Sequence, residues 1–238
     1  MSISMKYGRT YHYPFSPGTT SDDRINYNYW NDITAIRELV HTEKLDGENN
    51  CLSRHGVFAR SHAAPTTSAW SQQIRTYWQS IRNDLGDLEI FGENLYAIHS
   101  IEYTKIEDHF FVFGIRLHER WLSWEETKFY ARTLDLPTVP EIKVFETPID
   151  QKSFETDFLN IVKQESAFGS IDIISGKACS MEGIVTRDTG EYLVDDFVKH
   201  VFKYVRKGHV KTDEHWTRNW KRAKLKWERG DSAYVDID

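Results

Sequence analysis

The sequence predicts an α+β fold with antiparallel sheets, on three observations. Helix-like and strand-like apolar periods are interleaved without the strict β–α–β alternation of a parallel sheet. Two strand-like runs flank a His55–Gly56 turn, a direct hairpin link. Finally, 39% hydrophobic and 14% aromatic residues over 238 positions supply a sizeable core and exclude disorder for the chain as a whole.

Each element follows from local pattern. Residues 1–30, rich in Tyr, Ser, Asn and Gly, read as an irregular arm. A short helix is predicted from an Asp32 N-cap through Leu39. From Val40 the pattern turns to strands: an apolar start, a KLDGEN loop, then NCLSR and VFARS. Trp70, Ile74, Tyr77, Trp78, Ile81 and Leu85 fall at helical spacing over 68–85, a face that reads as core, with Ser68 as N-cap. LEIFGENLYA (88–97) and FFVFGIRLHE (110–119) read as buried strands, and 123–134 and 151–166 as helices. The segments 181–188 and 191–206 return to strand, and 213–229 closes the chain as a basic helix bearing Trp216, Trp220 and Trp227. No repeat or low-complexity linker divides the chain, so one domain is expected over 1–238.

No window reaches the roughly 18 apolar residues of a membrane span. No apolar signal segment follows the first methionine. Cys51 and Cys179 are too few for a disulfide framework or a thiolate zinc site. An intracellular, cytoplasmic protein that does not engage membranes is the expectation. The net charge of −6 hides a split, because residues 199–226 carry ten Lys/Arg and two acids. A basic segment on an acidic body marks either a polyanion contact or a solvated helix face. His200, His209 and His215 form no convincing metal set, and His41 is no ligand candidate.

The chemistry concentrates around Glu43-Lys44-Leu45-Asp46-Gly47-Glu48-Asn49. A Lys after a strand, two residues ahead of Asp-Gly, presents an amine at the mouth of a turn, and the Gly permits close backbone approach. Lys is a poor nucleophile while protonated, and a nearby cation or desolvation frees its lone pair. By itself K-x-D-G reads as a surface turn with a solvated Lys. Four further segments follow in order: Phe91-Gly92-Glu93-Asn94, the aromatic strand Phe110–Ile115, Met181-Glu182-Gly183-Ile184-Val185, and a strand from Val198 to Arg206 carrying Lys199 and Lys203.

That ordered set resembles the covalent nucleotidyltransferase superfamily of ATP-dependent ligases and mRNA capping enzymes, and within it RNA ligases of the phage RNA ligase 2 type. EKLDGEN is similar to motif I, ARS around Arg60 to motif Ia, and FGEN to motif III. FVFGI is similar to motif IIIa, MEGIV to motif IV, and FKYVR to motif V. The resemblance covers about residues 40–206 and implies an adenylation domain, ATP-grasp-like, with antiparallel sheets around an ATP cleft.

The resemblance also implies roles. Lys44 would attack the α-phosphorus of ATP, forming lysyl–AMP. AMP would pass to an RNA 5′-phosphate, and a 3′-hydroxyl would displace it. Lys203 would neutralise the α-phosphate, and Glu182 would join Lys44 and Lys203 in catalysis. Asp46 and Glu182 would hold Mg2+, with Mn2+ as a substitute. Glu93 would hold the ribose, Phe113 would stack on adenine, and Glu43 would complete the nucleotide set. Arg60 would meet phosphate, with Arg54 across the hairpin as its competitor. Asn49, Arg60 and Lys207 would face RNA carrying 5′-phosphate and 3′-hydroxyl ends. An RNA-repair role goes with such a ligase.

The sequence departs from the family in two places. Many members carry a second motif V lysine where Val205 stands; Lys199, Arg206 and Lys207 are the candidates for its charge. About 30 residues follow motif V, too few for the OB-fold of DNA ligases and capping enzymes or for the larger C-terminal domain of the phage type. The basic tail, or a protein partner, would then supply the missing RNA contacts. A capping guanylyltransferase, a small DNA ligase and a non-catalytic nucleotide- or RNA-binding module are the alternative readings.

Overall fold

The computed structural model describes residues 5–207 and 219–230. In chain order the elements are β1 (Tyr11–His12), α1 (Tyr29–Thr34), β2 (Glu38–Lys44), β3 (Glu48–Ser53), β4 (Gly56–Ala59) and α2 (Gln72–Ile81). There follow β5 (Leu88–Asn94), β6 (Ile101–Tyr103), β7 (Phe110–Leu117), β8 (Arg120–Trp121), α3 (Trp124–Thr133), β9 (Glu141–Glu146) and α4 (Gln151–Ile161). The remainder is β10 (Ser170–Asp172), β11 (Gly183–Asp188), β12 (Tyr192–Leu193), α5 (Phe197–His200) and β13 (Val201–Val205).

The strands form a five-stranded sheet in the order β1-β13-β11-β2-β9, a six-stranded sheet in the order β12-β8-β7-β5-β3-β4, and the pair β10-β6. Every pairing is antiparallel except β1 with β13, and no barrel closes among the described residues. The α+β, antiparallel prediction therefore describes the chain.

Strand alternation sorts the side chains into layers. On the five-stranded sheet, Leu39, Ile184, Phe202 and Tyr204 face outward and pack with Ile33 of α1 and Phe154 and Phe158 of α4. Val40 and Val201 face inward, against Cys51, Phe91, Phe111, Phe113 and Trp121 of the six-stranded sheet. The outer face of that second sheet sets Leu52, Ile90, Val112 and Ile115 against Ile74 and Ile81 of α2 and Ala131 of α3. The order is thus helices, sheet, sheet, helices. His41 belongs to the first outer layer, where its Nδ1 lies 2.9 Å from Thr186 Oγ1.

Four predicted elements need correction. The first helix is α1, not 32–39, because the Asp32 carboxylate takes hydrogen bonds from the Asn26 and Asn28 side chains and ties back the turn before it. Residues 38 and 39 already belong to β2. The 191–206 run is broken by a helical turn, α5, at whose start Asp196 pairs with Lys199 three residues on. Of the predicted 213–229 helix, 213–218 lies outside the described residues. The rest is an extended strap ending in a 3₁₀ turn at Lys226–Arg229. Its backbone bonds are made across the molecule: Ala223 N donates to Tyr96 O, and Lys226 N to Ile106 O. Ala223 and Leu225 are accordingly buried while Lys224 and Lys226 are exposed, a period of two rather than 3.6. Lastly, the arm is not wholly irregular, since β1 adds a parallel edge to β13.

Gly183 sits where three strands meet, opposite Lys44 on one side and Val205 on the other. A Cβ there would lie 1.9 Å from the Tyr204 carbonyl oxygen, so β13 must move to admit one. Gly183→Ala is expected to destabilise the fold by about 1–3 kcal/mol. A thermal melt would read this as a Tm lowered by at least about 2 °C. An unchanged Tm would mean that the strands tolerate separation at this point.

Candidate functional site

β2 belongs to one sheet and β3 to the other, so Leu45-Asp46-Gly47 carries the chain between sheets directly after Lys44. This crossing is tied down on both sides. Asp46 Oδ2 accepts from Ser100 N (2.8 Å), Ser100 Oγ (2.6 Å) and Ile101 N (2.9 Å). Asp46 N donates to the Tyr103 hydroxyl at 2.8 Å. The C-terminal strap reinforces that anchor, because Arg229 Nη2 donates to Tyr103 O at 3.0 Å and to Glu102 Oε1 at 2.8 Å. Gly47 N donates to Glu93 Oε1 at 3.1 Å, and a Cβ on Gly47 would sit 2.5 Å from Asn94 O.

Lys44 projects into the space between the sheets. Its Nζ lies 2.7 Å from both carboxylate oxygens of Glu182, which precedes β11 and is almost fully buried. Burial works against the ammonium, but Glu182 and then Glu93 more than offset it and hold Lys44 above its ordinary pKa. Burial likewise pushes the Glu93 carboxyl up to about 7, with Lys44 and the Gly47 N–H opposing. At rest the amine is therefore protonated and paired.

Across the cleft, Asn49, Glu93 and Phe111 are cross-strand neighbours on β3, β5 and β7. Lys203 of β13 lies opposite Val185 of β11 and donates to Asp23 Oδ1 at 3.1 Å. Together the two sheets and the arm enclose a cavity of about 130 Å³. Its walls include Lys44, Glu93, Lys203, Arg60, Phe113 and Asn49, with Glu43 at its edge. Roomier clefts of about 710 and 920 Å³ elsewhere hold none of these residues, so chemistry rather than size marks the site.

The remaining sequence-predicted residues take distinct places. Glu182 meets the cavity through Lys44, and Asp46 stands behind it as the anchor of the crossing. Glu43 directs Oε2 to the Ala167 N–H at 3.1 Å, and burial raises its carboxyl. Arg54, the competitor of Arg60, instead pairs with Asp87 at 2.8 Å on the outer surface. Lys199 is engaged by Asp196, and Lys207 is exposed. Arg206 donates its backbone N–H to Glu182 O at 2.9 Å, and its Nε and Nη2 are buried without partners among the described residues. Of the three candidate cations, Arg206 is the one beside Glu182.

Sequence reasoning missed part of the wall. Arg187 lies over the Phe113 ring, 5.3 Å from its centroid, and donates to the Tyr7 hydroxyl at 2.9 Å. Tyr7 packs edge-on against Phe113, Trp121 and Phe197. Arg187 stands two residues beyond Val185 on the same face of β11, a signal available from alternation alone. Nothing in the arm's composition pointed Tyr7 toward the cleft.

Unpartnered polar atoms show that the wall suits a polar ligand. Asn49 Oδ1 and Arg187 Nε are buried without partners among the described residues. The same residues contain no cluster of three or more His, Cys, Asp or Glu that could hold a metal by itself. Glu182 and Glu93 nevertheless offer hard oxygens beside Lys44, a donor set suited to Mg2+, which binds through one or two carboxylates together with waters and substrate phosphates. No helix among the described residues is long and apolar enough to cross a membrane.

The sequence model of the RNA ligase family matches residues 37–205. None of the curated proteins matches the chain. Among solved structures, the fold is similar to an alanine mutant of Naegleria gruberi RNA ligase in its apo form, with a TM-score of 0.52 at 17% identity over 82% of this chain and 57% of that one. It is also similar to Naegleria gruberi RNA ligase with PPi, with a TM-score of 0.53 at 16% identity over 87% and 62%. A further alanine mutant of that ligase, with ATP and Mn, gives 0.52 at 17% identity over 83% and 58%. The chain thus spans less than two thirds of the solved chains it resembles.

The raised Glu93 carboxyl has a consequence for stability. Between its ordinary 4.5 and about 7, Glu93 binds more protons folded than unfolded. Its contribution therefore favours the folded state below pH 4.5 and is lost as pH rises through 7. Glu93→Gln keeps the acceptor for Gly47 and removes the titration. The variant's Tm, measured against wild type from pH 5 to 8, is expected to gain steadily as pH rises through about 7. A difference that stays flat would mean that Glu93 ionises as an ordinary surface carboxyl.

Proposed function

The chain belongs to the RNA ligase family, and from that premise we propose that it is an ATP-dependent RNA ligase of the phage RNA ligase 2 kind, acting through a lysyl–AMP intermediate. The observation that carries this reading is the convergence, around one small cavity, of Lys44, Glu93, Lys203, Arg60, Phe113 and Asn49 from strands far apart in sequence.

In this reading Lys44 Nζ gives up its proton and attacks the α-phosphorus of ATP. A P–N bond forms, the bond to the β-phosphate oxygen breaks, and pyrophosphate leaves. AMP then passes to the 5′-phosphate of an RNA strand, and a 3′-hydroxyl attacks that phosphate and releases AMP. Charge moves onto phosphoryl oxygens at every stage, so placed cations dominate the chemistry. Lys203, from β13 two strands over in the same sheet as Lys44, meets the α-phosphate, and Arg60 meets the 5′-phosphate of the incoming strand. Phe113 is the platform for the base, and Glu93 receives the ribose hydroxyls. Asn49, whose Oδ1 is buried without a partner, serves the strand-joining steps.

Glu182 would hold Mg2+, or Mn2+ in its place, and the ion would supply charge neutralisation for the triphosphate. Asp46, the other acid expected at the metal, has Oδ2 committed to three donors and is assigned to fixing the crossing, so a direct hold on metal falls to Glu182. Two cysteines in 238 residues are in keeping with a reducing, cytoplasmic setting, and RNA repair is the role that goes with the proposed ligase.

The test is incubation with Mg2+ and α-labelled ATP, in parallel with labelled GTP, for wild type and Lys44→Ala. Label from ATP that survives denaturation is expected in wild type, with at least a 1,000-fold loss in Lys44→Ala, on the order of a lost nucleophile. Label from GTP alone would transfer the assignment to a capping enzyme, and label from neither would leave a binding module. If the protein takes label from ATP but fails to join 5′-phosphorylated RNA, a partner must complete the RNA site.

A further inference from the structure

The N-terminal arm is built into the cleft wall beside Lys203. In β1, His12 lies opposite Lys203 and Tyr11 opposite Phe202. Tyr13 N donates to Lys203 O and Gly18 N to Val205 O, both at 2.9 Å. Ser16 Oγ accepts from Val205 N at 2.9 Å. The chain folds so closely over the end of β13 that a Cβ on Gly18 would stand 2.5 Å from Arg206 O. It then returns along β1, where His12 N donates to Arg24 O and Asn26 N to His12 O. This return path brings Asp23 to the Lys203 side chain.

Both oxygens of Asp23 are oriented by the arm itself. Oδ2 accepts from Thr20 N and Thr20 Oγ1, each at 3.0 Å. Oδ1 lies 3.1 Å from Lys203 Nζ and 3.0 Å from His12 Nε2. The His12 ring is almost wholly buried, with Nδ1 2.8 Å from Ser16 Oγ, so it forms a fixed wall behind the pair. Of the charged groups that line the same cavity, Lys44 from β2 and Arg60 from the end of β4 act on Lys203 with its own sign, and Arg187 of β11, Glu43 of β2 and Glu93 of β5 stand in the same wall. A lysine on a flexible four-carbon stem, repelled from two sides, needs a contact to fix it at this point of the cleft, and Asp23 is the acid it touches.

We propose that Asp23 is a positioning residue for the reaction described above: the arm holds its carboxylate against the Lys203 ammonium, so that Lys203 stands charged and in place to meet the α-phosphate of the nucleotide. The assignment rests on the proposed function for its catalytic meaning, while the pairing itself is independent of it. Burial depresses the Lys203 pKa, Asp23 opposes that, and Lys44 and Arg60 add to the depression. His12 brings no positive charge to the carboxylate, because burial and then Lys203 bring its own pKa down to about 4 and leave it neutral.

Two readouts test the assignment. The first is the rate of amine labelling at Lys203 as a function of pH, followed by mass spectrometry in wild type, Asp23→Asn and Asp23→Glu. Loss of an adjacent opposite charge is expected to lower the Lys203 midpoint by about one to three pH units in Asp23→Asn, and Asp23→Glu should recover most of the shift. An unmoved midpoint overturns the assignment. The second readout is lysyl–AMP formation between pH 6 and 10, with folding checked by thermal melts. Asp23→Asn should form the adduct at least tenfold more slowly at pH 8.5, with its alkaline limb displaced to lower pH by the same interval. Lys203→Arg keeps its charge throughout this range, so Asp23→Asn in that background should displace no limb. A rate loss without pH dependence, or a displacement that persists with Arg at 203, would make Asp23 merely a structural residue and overturn the proposal. Absence of the adduct in wild type, with the labelling shift present, would defeat the proposed function and leave the pairing standing.

Discussion

The organising constraint of this molecule is a lysine ammonium held against a buried carboxylate where the chain crosses from one sheet to the other, with a second, half-buried carboxylate close enough to act on it. Charges leave water at a cost of several kcal/mol each, and mutual attraction repays it only with close geometry. The bidentate contact of Lys44 with Glu182, at 2.7 Å to each oxygen, supplies that geometry. Much of the surrounding structure maintains it. Gly183 allows β11 and β13 to approach, and the Arg206 N–H fixes the Glu182 carbonyl. Asp46 clamps the crossing to β6, and the C-terminal strap clamps β6 through Arg229. A residue 185 positions downstream of Lys44 thereby bears on where its amine stands.

The same pairing sets the resting state against the proposed chemistry. An amine that donates to Glu182 has no free lone pair, so the nucleophile is formed only when the proton leaves. Glu182 also offers the hard oxygens in contact with the amine, the group a divalent cation would claim. A carboxylate turned toward a dication would stabilise the ammonium less, so under the proposed function such an ion would supply charge that loosens the hold of Glu182 on the Lys44 proton. This is a physical reason for the acids and the nucleophile to share a site instead of standing apart.

How much of this could be read from residues alone depends on the range over which each feature is determined. The buried strands and α2, α3 and α4 were legible because period and burial are local properties of ten or so residues. The six residues that gather around the cavity were legible because each sits beside a glycine or an aromatic run in a short motif whose order along the chain is informative. The 32–39 helix failed where side chains of Asn26 and Asn28 captured Asp32. The 213–229 helix failed over its described part because loop carbonyls such as Tyr96 O and Ile106 O offered the backbone a better ladder than its own. Tyr7, His12 and Asp23 were invisible for a different reason. Their roles come from a parallel pairing with a strand about 190 residues away, and no local pattern encodes such a register.

Charge accounting within the cleft carries the argument one step further. Lys44 is matched by Glu182, and Lys203 by Asp23. Arg187 is committed to the Phe113 ring and the Tyr7 hydroxyl. Arg60 lines the same cavity and forms no ion pair among the described residues. An incoming phosphate can therefore engage Arg60 without displacing an existing partner, whereas contact with Lys44 or Lys203 draws on a cation already shared with an acid. Arg60 and Arg187 therefore add positive charge at rest that no acid pairs with among the described residues, and the positive character of the cleft toward a polyanion would grow further as the carboxylates beside Lys44 and Lys203 are claimed. Such a site holds its cations in position before the anion arrives, which spares the transition state the work of assembling them.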